Sequence, residues 1–513
     1  MTTTIHRRIL RGRPGARGWR ALQACEGEPH RAAPGEGELL AALWHLTDPH
    51  ICDAESPARL EYLDRFGDED SPYATALGEI GTYRPHEILT VPLLIAMLQA
   101  IASVKSAPIS GGGINALIIG GDTTDNAQGN EWEWFTAVLR GGGVTPASGD
   151  PLHSSWVGAG TGMDFDARYW HPDCGGDRPT LGYGYPTVPG LITAARSPMA
   201  SPGARLPVIT VSGNHDVLLQ GTVPVTEPLA RLAVGGERIT GLPAGADPLI
   251  TAEAIPEYGP ARYLHDLSSP RSAIASDPRR AIVAPLVAGD RRTRIGGVTI
   301  ITLDTVNPHG GWNGSLTESQ CHWLAETLAQ TAEEYVVIVC HHPTISLTND
   351  YAPMGAAPRV TGERLTTLIA EHPQVVALLT GHIHRHAARL HPRPGHPRGR
   401  GSRLPAGCWE IVTASLIDWP QQARILEFIR EVHDGEPSLA IVSTVVDHAG
   451  GLTWQGDPLE NPLTLASLAR DLAANDYHDR ARGTREPITG GQASGTERTS
   501  VRNTVWRVAD PLA

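Results

Sequence analysis

The sequence predicts an α/β fold with a mixed sheet or two stacked sheets, and three observations carry that reading. Short β-branched apolar runs alternate with segments of helical period over most of the chain. Beyond residue 407, three strand-like runs follow one another instead. Five of the runs, finally, end in clusters of Asp, Asn and His. Alternation followed by consecutive strands is the pattern of an α/β core whose sheet is not purely parallel.

Residues 1–38 are rich in Arg, Gly, Pro and Glu and read as an extended arm. LLAALWHLT (39–47) is a strand that runs into Asp48-Pro49-His50. Residues 52–85 are polar and loop-like. HEILTVPLLIAMLQAIASV (86–104) has helical length and period, and Pro92 fits if the regular helix begins near Thr90, which places it in the first turn. INALIIGGD is the next strand, and Glu131–Arg140 a helix stopped by Gly141 to Gly143. Residues 144–205 show no clear period, and irregular stretches of that length are usually functional.

The strand in LPVITVSGNHD follows, then a second irregular region at 217–293 and the strand GGVTIITLDT (296–305). Thr317 opens an amphipathic helix to Thr331, with Glu318 and Gln320 placed for a cap. EYVVIVC leads into His341-His342-Pro343, and a helix at 359–371 into VVALLTGHIHRH. Residues 387–407 read as a loop, followed by strands in CWEIVTASLI, ARILEFIREV and LAIVSTVVDH. A helix from Leu463 to Tyr477 precedes a polar remainder. The expected division is an arm (1–38), a main domain (39–450) with insertions at about 52–85, 144–205 and 217–293, and a C-terminal helix and tail (451–513).

Composition narrows the chemistry. The 513 residues carry 19% charged side chains and a net charge of −13, which disfavours a general nucleic-acid-binding surface. Lys105 is the only lysine and has neither P-loop nor Schiff-base context. Six cysteines lie far apart without a C-x-x-C, against a disulfide framework or a cysteine zinc site. Arg7-Arg8 faintly resembles a twin-arginine signal, but no apolar segment follows. With the scattered cysteines, this sets a cytoplasmic expectation. No run of eighteen apolar residues predicts a membrane span.

The strand ends supply Asp48-x-His50, Gly121-Asp122, Gly213-Asn214-His215-Asp216, His341-His342 and Gly381-His382-x-His384. In an extended strand, residues two apart share a face, so His382 and His384 are expected to point at one site. Two carboxylates, an amide carbonyl and at least four imidazoles suit Mn, Fe, Zn, Co or Ni better than Mg or Ca alone. They exceed the needs of one ion, and a carboxylate can bridge two.

In order and spacing these blocks resemble the calcineurin-like metallophosphoesterase superfamily (D-x-H, GD, GNH-D/E, H, GH-x-H), over about residues 41–420. The resemblance implies a four-layer α/β/β/α sandwich of two mixed sheets flanked by helices. It implies two divalent or trivalent metal ions, one held by Asp48, His50 and His384, the other by Asn214, His341 and His382, with Asp122 bridging. His341 is preferred over His342 from the family's H-x-P pattern, and Leu303-Asp304-Thr305 fits the strand that precedes it. His215 would donate a proton to the leaving group, with Asp125 and Asp216 orienting it. The implied activity is hydrolysis of small-molecule phosphate esters, monoesters or diesters and nucleotide-type substrates among them, by a metal-bridging hydroxide.

A non-catalytic scaffold on the same fold is the alternative; lost ligands would mark it, and none is lost. A zinc peptidase lacks its H-E-x-x-H. Other residues have plainer readings. His45, His86, His153 and His372 read as surface or satisfied structural histidines. His386, His391 and His396 read as a solvated loop before a metal tract. Trp132 and Trp134 read as helix packing, and glycines 158, 160 and 162 miss the dinucleotide spacing. Tyr169, Trp170 and His171 could stack on a substrate base, the weaker of their two readings.

Overall fold

The apolar runs fold into two six-stranded mixed sheets, in a computed structural model that describes residues 3–30, 34–68, 70–74, 81, 83–249, 268–287, 289–393, 404–477 and 501–513. Arg7–Pro14 (β1) and Arg20–Glu26 (β2) pair as an antiparallel hairpin. Gly37–Leu46 (β3), Ala116–Ile119 (β4) and Val208–Thr210 (β5) run parallel in the first sheet. The second sheet takes Arg291–Ile295 (β6), Val298–Thr302 (β7), Tyr335–Val339 (β8), Val375–Thr380 (β9), Ala387–Pro392 (β10) and Gly407–Val412 (β11). Its order is β6-β7-β8-β9-β11-β10, with both edge strands antiparallel to their neighbours. Gln422–His433 (β12) and Glu436–Asp447 (β13) return to the first sheet, and Thr504–Ala509 (β14) completes it in the order β14-β13-β12-β3-β4-β5.

Each central strand is buried on both faces, which is why its sequence is a continuous apolar run and not an alternation. Leu43, Ile118 and Phe428 of the first sheet share one cluster with Ile300, Val337 and Leu379 of the second. Their neighbours along the strands face the other way. Trp44, Leu117 and Ile119 pack with helices Thr90–Ser103 (α1), Gly129–Arg140 (α2) and Pro462–Ala474 (α5), through residues such as Leu94, Phe135 and Leu468. Ile301, Ile338 and Leu378 pack with Glu318–Ala329 (α3) and Gly362–Glu371 (α4), through Leu324 and Leu365. Each such side chain contributes roughly 1.5–3 kcal/mol on burial.

The helix signals act locally. Pro92 sits in the first turn of α1, where its missing N–H costs no helical bond. Thr317 caps α3 by accepting the Gln320 amide at 3.2 Å, and Gln320 reaches back to the Thr317 amide at 2.9 Å.

Three expectations are corrected. The segment read as an extended arm is the β1–β2 hairpin, whose Ile9 and Leu22 bury against Trp419, Ala473 and Ala474. Its charged residues hide the two apolar positions that fasten it. Within the expected loop 387–407, Ala387–Pro392 is an edge strand on β11, and an edge tolerates its terminal proline. The polar tail ends in β14, where Trp506 and Val508 are buried on alternate positions against the sheet.

Candidate metal centre

The loops that leave β3, β4, β5, β8 and β9 meet at the carboxyl ends of parallel strands, where α/β sheets bind ligands. Backbone bonds lace them together: Asp48 N–H donates to Gly121 O (3.1 Å), His50 N–H to Asp122 O (2.9 Å) and Gly381 N–H to His341 O (2.9 Å). Close approach explains two of the block glycines. A Cβ at Gly213 would collide with the Asp122 carboxylate, and one at Gly381 with Thr47 Oγ1 and the Asp48 carboxylate.

Of eleven non-glycine residues with left-handed backbone among the described ones, five are Asp48, His50, Asp122, His382 and His384, with φ from 44° to 66°. Such backbone costs about 1–3 kcal/mol per residue and concentrates where function demands it. This corrects the reasoning for His382 and His384. They lie beyond the end of β9 in left-handed backbone, not on an extended strand, and the turn sets His382 against His341 and His384 against Asp48.

The side chains converge on Asp48 and Asp122. His384 Nε2 lies 3.1 Å from Asp48 Oδ1, and His341 Nε2 3.1 Å from Asp122 Oδ2. His50 Nε2 is 3.6 Å from Asp122 Oδ2 and 4.0 Å from Asp48 Oδ1. The far side of each ring is held. His50 Nδ1 pairs with Asp125 Oδ1 (3.0 Å), His341 Nδ1 with Gly120 O (2.8 Å) and His384 Nδ1 with Asp418 Oδ2 (2.5 Å). Asn214 Nδ2 donates to Gly221 O at 2.9 Å.

At this centre three buried atoms have no hydrogen-bond partner among the described residues: His50 Nε2, His341 Nε2 and Asn214 Oδ1. With Nδ1–H donating to a carbonyl, His341 turns the lone pair of Nε2 towards a carboxylate oxygen. Proximity there is not a hydrogen bond, and two facing lone pairs call for a cation. An unsatisfied buried polar group costs about 1–3 kcal/mol, so three in one place mark a site that a ligand completes. The donor set fits a mid-row metal ion.

The electrostatics agree. Burial opposes charge on His341 and His384, yet the Asp122 and Asp48 carboxylates beside them outweigh it and lift both to about 9, so that without an ion a proton on Nε2 takes the cation's place between imidazole and carboxylate. The same field attracts a metal cation. Burial and the neighbouring His341 instead push His382 down to about 3, and burial holds His215 at about 4 despite Asp122.

His342 has its nitrogens engaged by Thr305 Oγ1 (2.8 Å) and Trp312 O (3.1 Å), although it lies within reach of His341 and His382. His215 is beside the cluster, its Nδ1 2.8 Å from Asp125 O and 3.5 Å from Asp125 Oδ1. Asp216, expected to orient His215, does something else. Its carboxylate accepts the amides of Gly213 (2.9 Å), Thr124 (2.9 Å) and Thr123 (3.2 Å), pinning one loop to another.

Among the remaining histidines, His45 and His86 are buried and bonded to Thr413 Oγ1 and Ile417 O. His386 is buried against Gln422 and Arg424, not in a solvated loop; His391 pairs with Glu410, and His396 lies outside the described residues. Tyr169, Trp170 and His171 are buried, and their rings pack on protein neighbours: Tyr169 on Tyr83, Trp170 on Trp156 and Tyr185, and His171 on Phe165. Trp132 and Trp134 pack in the core around α2. Asp418, Arg59 and Arg84 were not singled out in the sequence, though Asp418 follows a strand-like run and that position could have raised it.

The chain matches no family model. It is 35% identical to a cAMP/cGMP dual specificity phosphodiesterase of Mycobacterium tuberculosis over 102 residues, 20% of this chain and 30% of that protein. It is 30% identical to a probable glycerophosphodiester phosphodiesterase of Arcobacter nitrofigilis over 93 residues, 18% of this chain and 33% of that protein. The chain thus spans about a third of the length of the curated relatives it matches. Among solved structures, a dimetal phosphatase from Danio rerio aligns at 12% identity over 80% of this chain and 100% of its own, with a TM-score of 0.35. The calcineurin-like phosphoesterase YfkN from Bacillus subtilis aligns at 11% identity over 86% and 99%, with a TM-score of 0.27. Likeness at that level adds no weight.

The five ordered blocks and the two phosphodiesterase relatives support the resemblance to the calcineurin-like metallophosphoesterase superfamily.

Proposed function

We propose that the protein is a metal-dependent hydrolase of small-molecule phosphate monoesters or diesters. Its catalytic unit would be a four-layer α/β/β/α sandwich spanning residues 39–450. The observation that carries the reading is the set of three buried, unpartnered acceptors, His50 Nε2, His341 Nε2 and Asn214 Oδ1, gathered round Asp48 and Asp122. Asp48, His50 and His384 would hold one ion, Asn214, His341 and His382 the other, and Asp122 would serve both. When bound, two such ions (Mn, Fe, Zn, Co or Ni) supply Lewis-acid charge to phosphoryl oxygens and lower the pKa of water.

The chain's own residues do the rest. Asp125, Gly120 and Asp418 fix the three imidazoles so that their Nε2 atoms face inward. His215, outside the ligand set and steadied by Asp125, is the group assigned to protonate the departing ester oxygen. An anionic phosphoryl group beside it favours the imidazolium that this requires. The six free cysteines support a reducing, cytoplasmic setting. No helix among the described residues is long and apolar enough to cross a membrane.

The test is hydrolysis of nitrophenyl phosphate and bis(nitrophenyl) phosphate by protein stripped with a chelator and then reloaded. Activity should vanish on stripping and return with Mn²⁺ or a neighbouring ion. Activity that survives stripping, or no hydrolysis of either ester with any of the five metals, would sink the reading.

A further inference from the structure

Behind two of the imidazoles stands a second row of charge. Asp125 gives one oxygen to His50 Nδ1 (3.0 Å) and the other to the Arg59 guanidinium. Asp418 gives Oδ2 to His384 Nδ1 (2.5 Å) and Oδ1 to Arg84 Nε (2.7 Å), with Arg84 Nη2 3.2 Å from Oδ2 in a forked pair. The two relays are joined: Glu87 Oε2 accepts from Arg59 Nη2 (2.8 Å) and from the Arg84 amide (3.2 Å). Its other oxygen accepts the Trp156 indole N–H at 3.2 Å, which ties in the next insertion. Arg59 also meets Glu61 at 2.5 Å, and its side chain is 1% exposed.

The other half of the centre is built differently. His341 and Asn214 are backed by the neutral carbonyls of Gly120 and Gly221. Both arginines come from the segment 52–85 that separates Asp48-x-His50 from α1. A buried arginine among three carboxylates is expensive to desolvate, and such groups serve best where they specify geometry.

We propose that Arg59 and Arg84 of this first insertion are positioning residues for His50 and His384, and so support one metal position only. The proposal rests on the dinuclear reading above. Each arginine fixes the plane of an aspartate, the aspartate fixes the tautomer and tilt of an imidazole, and the Nε2 lone pair is thereby aimed. Loss of either arginine lets its carboxylate rotate and loosens one ligand of the ion held by Asp48, His50 and His384. The ion held by Asn214, His341 and His382 keeps its supports.

The experiment is calorimetric titration of the chelator-stripped full chain with Mn²⁺, on wild type, Arg59→Gln, Arg84→Gln, Arg84→Lys and Arg470→Gln. Arg470 is a buried arginine whose guanidinium serves the carbonyls of His448, Gly450 and Gly451, and it controls for general loosening. The wild type should take up two ions. Arg59→Gln and Arg84→Gln should each weaken one of them about tenfold or more while the other moves less than about twofold, the scale seen for outer-shell partners. Arg84→Lys should recover part of the loss, and Arg470→Gln should match the wild type. Should Arg59→Gln not fold, the two Arg84 variants decide the matter alone. Equal weakening of both ions, no weakening, or the same loss in Arg470→Gln overturns the proposal. A wild type that binds no Mn²⁺ overturns the dinuclear reading itself, a different failure.

Discussion

His341 and His342 are adjacent in sequence and opposite in circumstance. His341 Nδ1 is bonded to Gly120 O at 2.8 Å and its Nε2 is buried without a hydrogen-bond partner, whereas His342 has Thr305 Oγ1 on one nitrogen and Trp312 O on the other. His341→Gln should therefore abolish uptake of the second ion, and His342→Gln should leave uptake of both intact while lowering the melting temperature. Metal analysis on the two purified variants checks this. Metal loss in the His342 variant would reverse the assignment.

Asp418 holds His384 from behind at 2.5 Å. Asp418→Ala should weaken metal binding by about ten- to a hundredfold, as removal of an imidazole's carboxylate partner does elsewhere. Asp418→Asn keeps an acceptor oxygen for the imidazole and should lose less. Metal titrations of both variants against wild type provide the measurement.

His215 should govern rate and not metal content. Its ring is anchored on Asp125 O at 2.8 Å and belongs to no assigned ligand set. His215→Ala should slow hydrolysis of alkyl phosphate esters by about a hundred- to ten-thousandfold, the usual share of a general acid. Nitrophenyl esters should suffer much less, since nitrophenolate departs without a proton. Asp122→Ala should lose metal and activity together. Equal losses on both ester types would remove His215 from the proton-donor role.

Away from the centre, burial raises Asp471 from 3.8 to about 6, although Thr453 Oγ1 (2.6 Å) and the Trp454 amide (2.7 Å) both donate to it. A carboxyl whose folded value exceeds its unfolded one binds its proton more tightly in the folded state. Its stabilising contribution is full below about pH 4 and is lost as pH rises through about 6, worth at most about 3 kcal/mol. Asp471→Asn should flatten the part of the stability profile between pH 4 and 7. Chemical denaturation of wild type and variant at pH 5 and pH 8 measures it, and identical pH slopes would refute it.

The sequence by itself determined the strand runs, the order of the five blocks and most helix ends. These are local matters. A strand buried on both faces needs an unbroken apolar run, a cap such as Thr317 acts within four residues, and ligand chemistry is written in side-chain type. Gly213 and Gly381 could be read as turn residues, but only the packing shows that they make room for the Asp122 and Asp48 carboxylates. The hairpin at β1–β2, the edge strand β10 and the closing strand β14 escaped notice because few apolar side chains fasten them and their partners lie far along the chain.

Tertiary structure alone decided how the site is aimed. His382 and His384 were expected to share a face by strand alternation, and instead left-handed backbone beyond the strand turns one to His341 and the other to Asp48. Arg59 lies 66 residues from Asp125, and Asp418 lies 34 from His384. No local pattern encodes such pairs. A salt bridge or a buried hydrogen bond acts over a few ångström of space, whatever the length of chain between its partners, and only folding brings that space into being.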